Sequence, residues 1–97
     1  MPTYITLYRY TQQGIKNIKK SPHRVDEARK AIEKAGAKLK AIYLTMGQYD
    51  LIAVSEWPNE ESAAAFLLGQ GAQGNVTSES LRAFSEEEFK SLVAKIG

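Results

Sequence analysis

The best set of chemical groups in this 97-residue chain lies between two apolar stretches, in the segment Gly47-Gln48-Tyr49-Asp50. Asp50 would serve as a general acid or base if it were shielded from water, and Tyr49 would orient a ligand through its hydroxyl. A structural role is the alternative: Asp50 would bind Arg24 or backbone N–H groups near a turn, and Tyr49 would cover the end of a sheet. We favour the structural role for both residues.

The histidine and cysteine content limits the metal sites, disulfides and nucleophiles that the chain can form. His23 is the only histidine, which excludes a metal centre built on several histidines of one chain. Its place in the first turn of a predicted helix favours a solvated or capping histidine over an axial haem ligand. The absence of cysteine excludes a disulfide, a thiolate metal site and a cysteine nucleophile. We expect no metal site and no cofactor.

Four stretches have the alternation or the apolar content of β-strands. They cover residues 3–10, 39–46, 49–57 and 76–84. Glycine at the first central position suits a two-residue turn, so Gly47-Gln48 is predicted to join the second and third strands directly.

Three helices are predicted from capping residues and from apolar stripes at helical spacing. The first has Ser21 as its N-cap and ends at Gly36. The second starts at Asn59 and ends before the glycine-rich segment 69–74, which lacks the Lys-Ser/Thr of a phosphate-binding loop and is predicted to be a loop. The third starts with a capping box at Ser85. A polar loop is predicted between the first strand and the first helix.

The order β-α-β-β-α-β with an added C-terminal helix is typical of a ferredoxin-like α+β sandwich with a four-stranded antiparallel sheet, here as one domain over residues 1–97. Pairing across the predicted turn divides the second and third strands into two faces, and both are apolar. One face carries Ile42, Leu44, Met46, Tyr49, Leu51, Ala53 and Trp57, and the other carries Leu39, Ala41, Tyr43, Thr45, Asp50, Ile52 and Val54. Helices cover only one face of such a sandwich, so we predict a homodimer in which a second copy covers the other.

A stripe of hydroxyl-bearing residues shares one face of the first strand, namely Tyr4, Thr6, Tyr8 and Tyr10. Such a stripe could line an aromatic pocket. Tyrosine is enriched at protein interfaces, so we predict that the stripe lies in the dimer interface.

Right-handed crossovers bring residues 11–20, the Gly47 turn and residues 69–74 to one edge of the sheet, beside the amino end of the first helix. That edge is basic, because it holds Lys19, Lys20, His23 and Arg24. We predict that an anionic or polar small molecule binds there. The predicted ligand-binding residues are Arg24, Tyr43, Tyr49, Asp50 and Tyr10, with Asp50 as the best catalytic candidate.

The charges are unevenly distributed along the chain. Residues 1–40 carry ten basic and three acidic side chains, whereas residues 41–97 carry three and eight, for a net charge of +2. This pattern fits an anion-binding face, complementary subunit patches or solvated helix faces. It is too mild for a phosphate-binding surface, and the third strand lacks the aromatic and basic groups of an RNA-recognition sheet. We expect no nucleic-acid partner.

No apolar run reaches the roughly 18 residues that a membrane span needs. The N-terminus lacks the basic segment and apolar stretch of a signal peptide. We therefore expect no membrane partner and predict a cytoplasmic location.

The chain resembles the GYD-domain proteins. The resemblance rests on the Gly-x-Tyr-Asp spacing of residues 47–50, on Ser21-Pro22-His23-Arg24 before the first helix and on Leu81-Arg82-Ala83-Phe84 in the last strand. It implies a dimeric α/β barrel, in which two sheets pack face to face. Proteins of that group include cofactor-free monooxygenases, isomerases, haem-using enzymes and ligand-sensing domains, and the resemblance brings no established catalytic role for Tyr49 or Asp50.

We conclude from the sequence that the chain is a binding or assembly protein that forms a homodimer through its sheet and holds a small molecule near the Gly47–Asp50 hairpin. The alternative is a cofactor-free enzyme of the oxygenase or isomerase type that acts on a small aromatic or polar substrate. In that case Asp50 would move a proton, Arg24 would hold an anionic group, and Tyr49 or Tyr43 would orient the substrate.

Overall fold

A computed structural model of the chain describes residues 1–97. The strands are β1 Thr3–Tyr10, β2 Lys38–Leu44, β3 Leu51–Glu56 and β4 Val76–Ala83. The helices are α1 Gln12–Lys16, α2 Ser21–Lys34, α3 Glu60–Gln73 and α4 Glu86–Ala94, with a 3₁₀ turn at Ile18–Lys20 between α1 and α2. None of the helices combines the length and the apolar character that crossing a membrane requires.

The four strands form one antiparallel sheet in the order β2-β3-β1-β4. β1 is central and pairs with both β3 and β4. Helices α2 and α3 lie over the same face of the sheet, and the other face is open. This arrangement confirms the predicted ferredoxin-like α+β sandwich with an additional C-terminal helix.

Residues 11–20, predicted to be a polar loop, instead form α1 and the 3₁₀ turn. The Thr11 hydroxyl oxygen accepts a hydrogen bond from the N–H of Gly14 over 3.1 Å and so caps α1. Gly14 is buried, and a Cβ at this position would collide with the backbone carbonyl of Asn75. The side chain of Gln13 also donates to the carbonyl oxygen of Gln73. These contacts fasten α1 to the junction of α3 and β4.

The predicted start of the first long helix is wrong in one detail. The N-cap of α2 is Lys20 and not Ser21, and no side chain caps the helix. Because the 3₁₀ turn continues directly into α2, Lys20 already has helical backbone angles and no extended residue precedes the helix. The side chain of Ser21 is used elsewhere, in a hydrogen bond with Tyr10. The predicted end is confirmed, because Gly36 adopts a left-handed φ of 81°.

The prediction that residues 69–74 form a loop is also wrong, since α3 continues to Gln73 and ends at Gly74, which has a φ of 80°. Each helical glycine costs about 1 kcal/mol relative to alanine. Tertiary hydrogen bonds at the last two turns of α3 offset that cost, because Gln70 accepts from the hydroxyl of Tyr8 and the carbonyl of Gln73 accepts from Gln13.

The hairpin between β2 and β3 has the predicted register but a longer loop. Leu44 pairs with Leu51 as predicted. β2 ends at Leu44 and β3 starts at Leu51, so the loop spans residues 45–50, and the predicted two-residue turn is wrong. Within the loop, Thr45 donates its N–H to the carbonyl oxygen of Asp50 and its hydroxyl to the carbonyl oxygen of Tyr49.

A β-bulge at Lys40 changes the predicted faces of β2. The register shifts between Leu39 and Ala41, so that Leu39 lies opposite Ser55 while Ala41 lies opposite Val54. The extra residue turns Leu39 away from the face of Ala41 and Tyr43, with which the sequence grouped it, to the helix-covered face.

The buried core is small and lies at one end of the space between helices and sheet. Its members are Ile32, Ala37, Trp57 and Ala63, with Tyr4, Leu39 and Phe66 packed against them. No large side chain is completely buried.

Helix α4 begins with the predicted capping box at Ser85 and Glu88. It makes no extensive contact with any other helix or strand. Its apolar side chains are exposed, and they are Phe89, Leu92 and Val93, with Ile96 just beyond the helix.

Candidate functional site

A cavity of about 270 Å³ lies between the sheet and helices α2 and α3. All four residues of the hydroxyl-bearing stripe on β1 line it. The prediction that this stripe forms a dimer interface is therefore wrong. The stripe faces the helices because Thr6 lies opposite Ala53 and Tyr4 opposite Ser55, and these β3 residues are buried under the helices.

One end of the cavity is apolar and aromatic. Trp57 is only 3% exposed, and its ring lies 5.3 Å from that of Phe66, centroid to centroid. The indole N–H of Trp57 donates to the hydroxyl oxygen of Ser55 over 2.9 Å. Ile32 and Leu39 complete this end.

The middle and the other end of the cavity are polar. The hydroxyl of Tyr8 donates to Oε1 of Gln70 over 2.8 Å, and burial raises the pKa of Tyr8 to about 12. The hydroxyls of Tyr10 and Ser21 lie 2.6 Å apart and share a hydrogen bond. These two contacts join β1 to both covering helices.

Arg24 lines the polar end and is half-buried. Its Nη2 donates to the backbone carbonyl of Asn17 over 3.4 Å. None of the ion pairs in the structure involves Arg24. Glu27 also lines the cavity, but its carboxylate lies 2.9 Å from Nε2 of His23 on the exposed helix surface. The polar end therefore contains a guanidinium without a carboxylate partner.

Asp50 does not line the cavity. Its Oδ2 accepts a hydrogen bond from the backbone N–H of Tyr10 over 2.9 Å, and its own N–H donates to the carbonyl oxygen of Tyr8 over 2.8 Å. The acid thus continues the pairing of β3 with β1 beyond the last residue of the ladder, and it makes no ion pair with Arg24.

Tyr49 lies across the open face of the sheet. Its hydroxyl donates to Oε2 of Glu79 on β4 over 2.9 Å, and the guanidinium of Arg9 lies 4.7 Å from its ring centroid. Arg9 also donates to the carbonyl oxygen of Gln48. The hydrogen bond to Glu79 is the main cause that raises the pKa of Tyr49. The prediction that Tyr49 shares a face with Leu51 is wrong, because the six-residue loop carries it to the opposite side.

The structure thus divides the five predicted ligand-binding residues among three places. Arg24 and Tyr10 line the cavity. Asp50 lies directly before the first residue of β3. Tyr49 and Tyr43 lie on the open face, where Tyr43 is 61% exposed.

Sequence reasoning missed Ser21, Gln70 and Trp57 as cavity residues and assigned Tyr8 to the dimer interface instead of the alternative aromatic pocket. For Tyr8 the signal was present, because it shares its strand face with Tyr10. For Gln70 there was none, since its segment was predicted to be a loop. His23 lies on the surface with Glu27, and no group of three or more histidine, cysteine or acidic side chains is placed to hold a metal ion.

Comparison with known proteins agrees with this architecture. The chain belongs to the GYD domain family, whose model matches residues 4–93. A relative from Thermus thermophilus, named glutamine synthetase and cystathionine beta-lyase binding protein, is 31% identical over 84 residues, which cover 86% of this chain and 88% of the relative.

The crystal structure of TTHA0845, also from Thermus thermophilus, has a similar fold. The TM-score is 0.54 at 23% sequence identity, and the match covers 88% of this chain and 95% of that protein. At this identity the similarity shows the fold alone.

Proposed function

We propose that this protein is a homodimeric binding module that holds a small molecule between its sheet and helices and docks on an enzyme. The observation that carries the proposal is the distribution of apolar surface. Helices cover one face of the sheet incompletely and leave a cavity, while the opposite face has no cover.

Dimerisation is supported by the open face of the sheet. Its apolar side chains are Ile5, Leu7, Ile52, Val54, Leu81 and Tyr43. Leu81 is 46% exposed in the single chain. A domain of this size buries only about 60–70% of its unfolded surface, so covering this face with a second copy adds apolar burial at about 25 cal/mol per Å².

The charged groups around this face support an interface because each already has a partner within the chain. Arg9 and Glu79 flank Tyr49, and Lys40 lies 3.6 Å from Glu56. An apolar centre with a polar rim is typical of protein interfaces. The exposed apolar side of α4 offers a second surface for the partner copy in a two-fold symmetric dimer.

Sedimentation equilibrium tests the dimer directly. We expect the wild type to be a dimer at micromolar concentration and Leu81→Lys to dissociate, because the substitution places a charge in the apolar centre of the interface. Leu68→Lys is the matched control, since Leu68 is 76% exposed on α3, on the other side of the molecule. A monomeric wild type would refute the proposed dimer.

A small molecule in the cavity is supported by the chemistry of its lining. Aromatic side chains at one end and hydrogen-bonding groups at the other surround a space of about 270 Å³, and such a combination is typical of small-molecule sites. A thermal-shift screen of small aromatic and polar metabolites tests this part, and we expect compounds that fill the cavity to raise the melting temperature.

Docking on an enzyme is supported by the name of the relative from Thermus thermophilus. We expect purified glutamine synthetase or cystathionine beta-lyase, from the organism that encodes this chain, to bind the immobilised protein in biolayer interferometry. Failure of both enzymes to bind would remove this part of the proposal and leave the dimer and the cavity untouched.

A cofactor-free enzyme has less support from the geometry. Its best catalytic residue, Asp50, binds a backbone N–H outside the cavity. We therefore propose a structural role for Asp50 and a ligand-binding role for Arg24 and Tyr10. We retain the predicted cytoplasmic location as part of the proposal.

A further inference from the structure

The two ends of the cavity differ in chemistry, and this difference restricts the ligand that fits. Trp57 and Phe66 present an apolar aromatic surface at one end. Arg24 and the hydroxyl pair of Tyr10 and Ser21 lie at the other. A ligand that satisfies both ends has an apolar body and one polar head.

The polar end favours a negative charge on that head. Arg24 has no acidic partner. The carboxylate of Glu27 lies against His23, and that of Asp50 accepts from the N–H of Tyr10. Arg24 also lies in the first turns of the 14-residue helix α2, where the helix dipole opposes a cation. A bound anion would compensate both the guanidinium and the helix end.

Charge and size together favour a carboxylate over a phosphate. Arg24 is the one cationic side chain that lines the cavity, and the carboxylate of Glu27, which also lines it, pairs with His23. A single guanidinium matches the single charge and the planar fork of a carboxylate, whereas a phosphate ester carries up to two charges. The cavity volume of about 270 Å³ equals the liquid volume of about nine water molecules. That space suits a single aromatic ring with a short acidic side chain.

We infer that the cavity binds a small monocarboxylic acid with one aromatic ring or a compact aliphatic body, with its carboxylate on Arg24 and its body directed along the cavity towards Phe66 and Trp57. This inference rests on the proposed small-molecule site and adds the class of the ligand.

Trp57 is the only tryptophan of the chain, so its fluorescence reports occupancy of the apolar end without a label. Titration with phenylacetate is expected to change the emission and to give a dissociation constant. The neutral analogue phenylacetamide is expected to bind at least tenfold more weakly, because it lacks the charge-assisted hydrogen bonds to a guanidinium.

Substitutions at each end of the cavity test which part of the ligand that end binds. Arg24→Gln is expected to weaken phenylacetate at least tenfold and to leave phenylacetamide unchanged, whereas Phe66→Ala weakens both compounds. Arg29→Gln is the matched control, because Arg29 is on the same helix but pairs with Asp26 on its surface. It is expected to bind phenylacetate like the wild type. Circular dichroism of each variant verifies the fold.

Equal binding of acid and amide, or unchanged binding of the acid to a folded Arg24→Gln variant, would overturn the carboxylate inference and leave the small-molecule site standing. Tighter binding of phenyl phosphate than of phenylacetate would overturn the choice of carboxylate. If these compounds and the neutral probe toluene all fail to change the emission or the melting temperature, both the ligand class and the proposed small-molecule site are refuted.

Discussion

The carboxylate of Asp50 accepts a hydrogen bond from the backbone N–H of Tyr10, with 2.9 Å between Oδ2 and N. The hydroxyl of the same tyrosine shares a hydrogen bond with Ser21 at the start of α2. Asp50 therefore fixes the backbone of the residue that joins the end of the sheet to a covering helix. Through Tyr10 it positions the polar end of the cavity without contacting the space itself.

Replacing Asp50 should lower stability. We expect Asp50→Ala to reduce the free energy of unfolding by about 1.5–3 kcal/mol, because a hydrogen bond to a charged group is lost and the N–H of Tyr10 is left without its partner. Urea denaturation measures the change. Asp26→Ala is the control, since its carboxylate contacts only Arg29 on an exposed helix surface, and we expect it to change stability by about 0.5 kcal/mol or less. An Asp50→Ala protein with full stability and no affinity for phenylacetate would contradict the structural role.

The contact between Tyr49 and Glu79 should be visible in the titration of the tyrosine. Glu79→Gln is expected to bring the raised pKa of Tyr49 down towards its ordinary value of 10.0, because the hydrogen bond to the carboxylate is the main cause of the shift. NMR of the labelled tyrosine ring measures this pKa, with Glu86→Gln on α4 as the control. In the same variant, the amide protons of residues 45–50 should exchange with solvent faster than in the wild type. An unchanged pKa would show that Tyr49 does not bridge the sheet in solution.

Alkaline pH should weaken the fold through Tyr8. Its pKa is raised by burial from 10.0 to about 12, so the folded protein holds this proton more tightly than the unfolded chain. The contribution is fully present below pH 10 and is lost as the pH rises towards 12. A difference of about two pKa units between the folded and unfolded states corresponds to about 2–3 kcal/mol in the free energy of unfolding.

We expect Tyr8→Phe to flatten the decline of the free energy of unfolding over this pH range, measured by urea denaturation. Tyr43→Phe should not, because the side chain of Tyr43 is 61% exposed on the open face. An identical decline in wild type and Tyr8→Phe would contradict the burial of this hydroxyl.

Replacing either of two glycines by alanine should change the stability in opposite directions. Gly14→Ala is expected to destabilise by about 1–3 kcal/mol, because its methyl group would collide with the carbonyl of Asn75. Gly69→Ala is expected to stabilise by up to about 1 kcal/mol, since a methyl group there meets open space within a helix. Thermal unfolding of the pair measures both effects. A stabilising Gly14→Ala would refute the tight contact between α1 and the start of β4.

The sequence was sufficient for the architecture because strand alternation, capping residues and crossover handedness are local or topological rules. The capping box at Ser85 and the register of Leu44 with Leu51 follow from them. The site depended on features that these rules do not capture. The bulge at Lys40 places Leu39 on the face opposite to the predicted one. The six-residue loop likewise places Tyr49 on the open face, away from Leu51. Both are set by tertiary contacts rather than by residue spacing.

The tyrosine stripe shows a further limit of local reasoning. Alternation placed Tyr4, Thr6, Tyr8 and Tyr10 on one face correctly, but it could not say which face the helices would cover. That choice depends on β3, where Ala53 and Ser55 are buried. Gln70, which is far from Tyr8 in the sequence, accepts a hydrogen bond from the hydroxyl of Tyr8. Such a partner allows the polar side chains of the stripe to be buried.

The hollow interior also determines how the molecule responds to hydrostatic pressure. Pressure favours the state of smaller volume, and the volume lost on unfolding scales with the voids that water fills. A chain that retains about 270 Å³ between its helices and sheet should therefore unfold at lower pressure than a tightly packed domain of equal size. An occupant that displaces this void should make the protein resistant to compression.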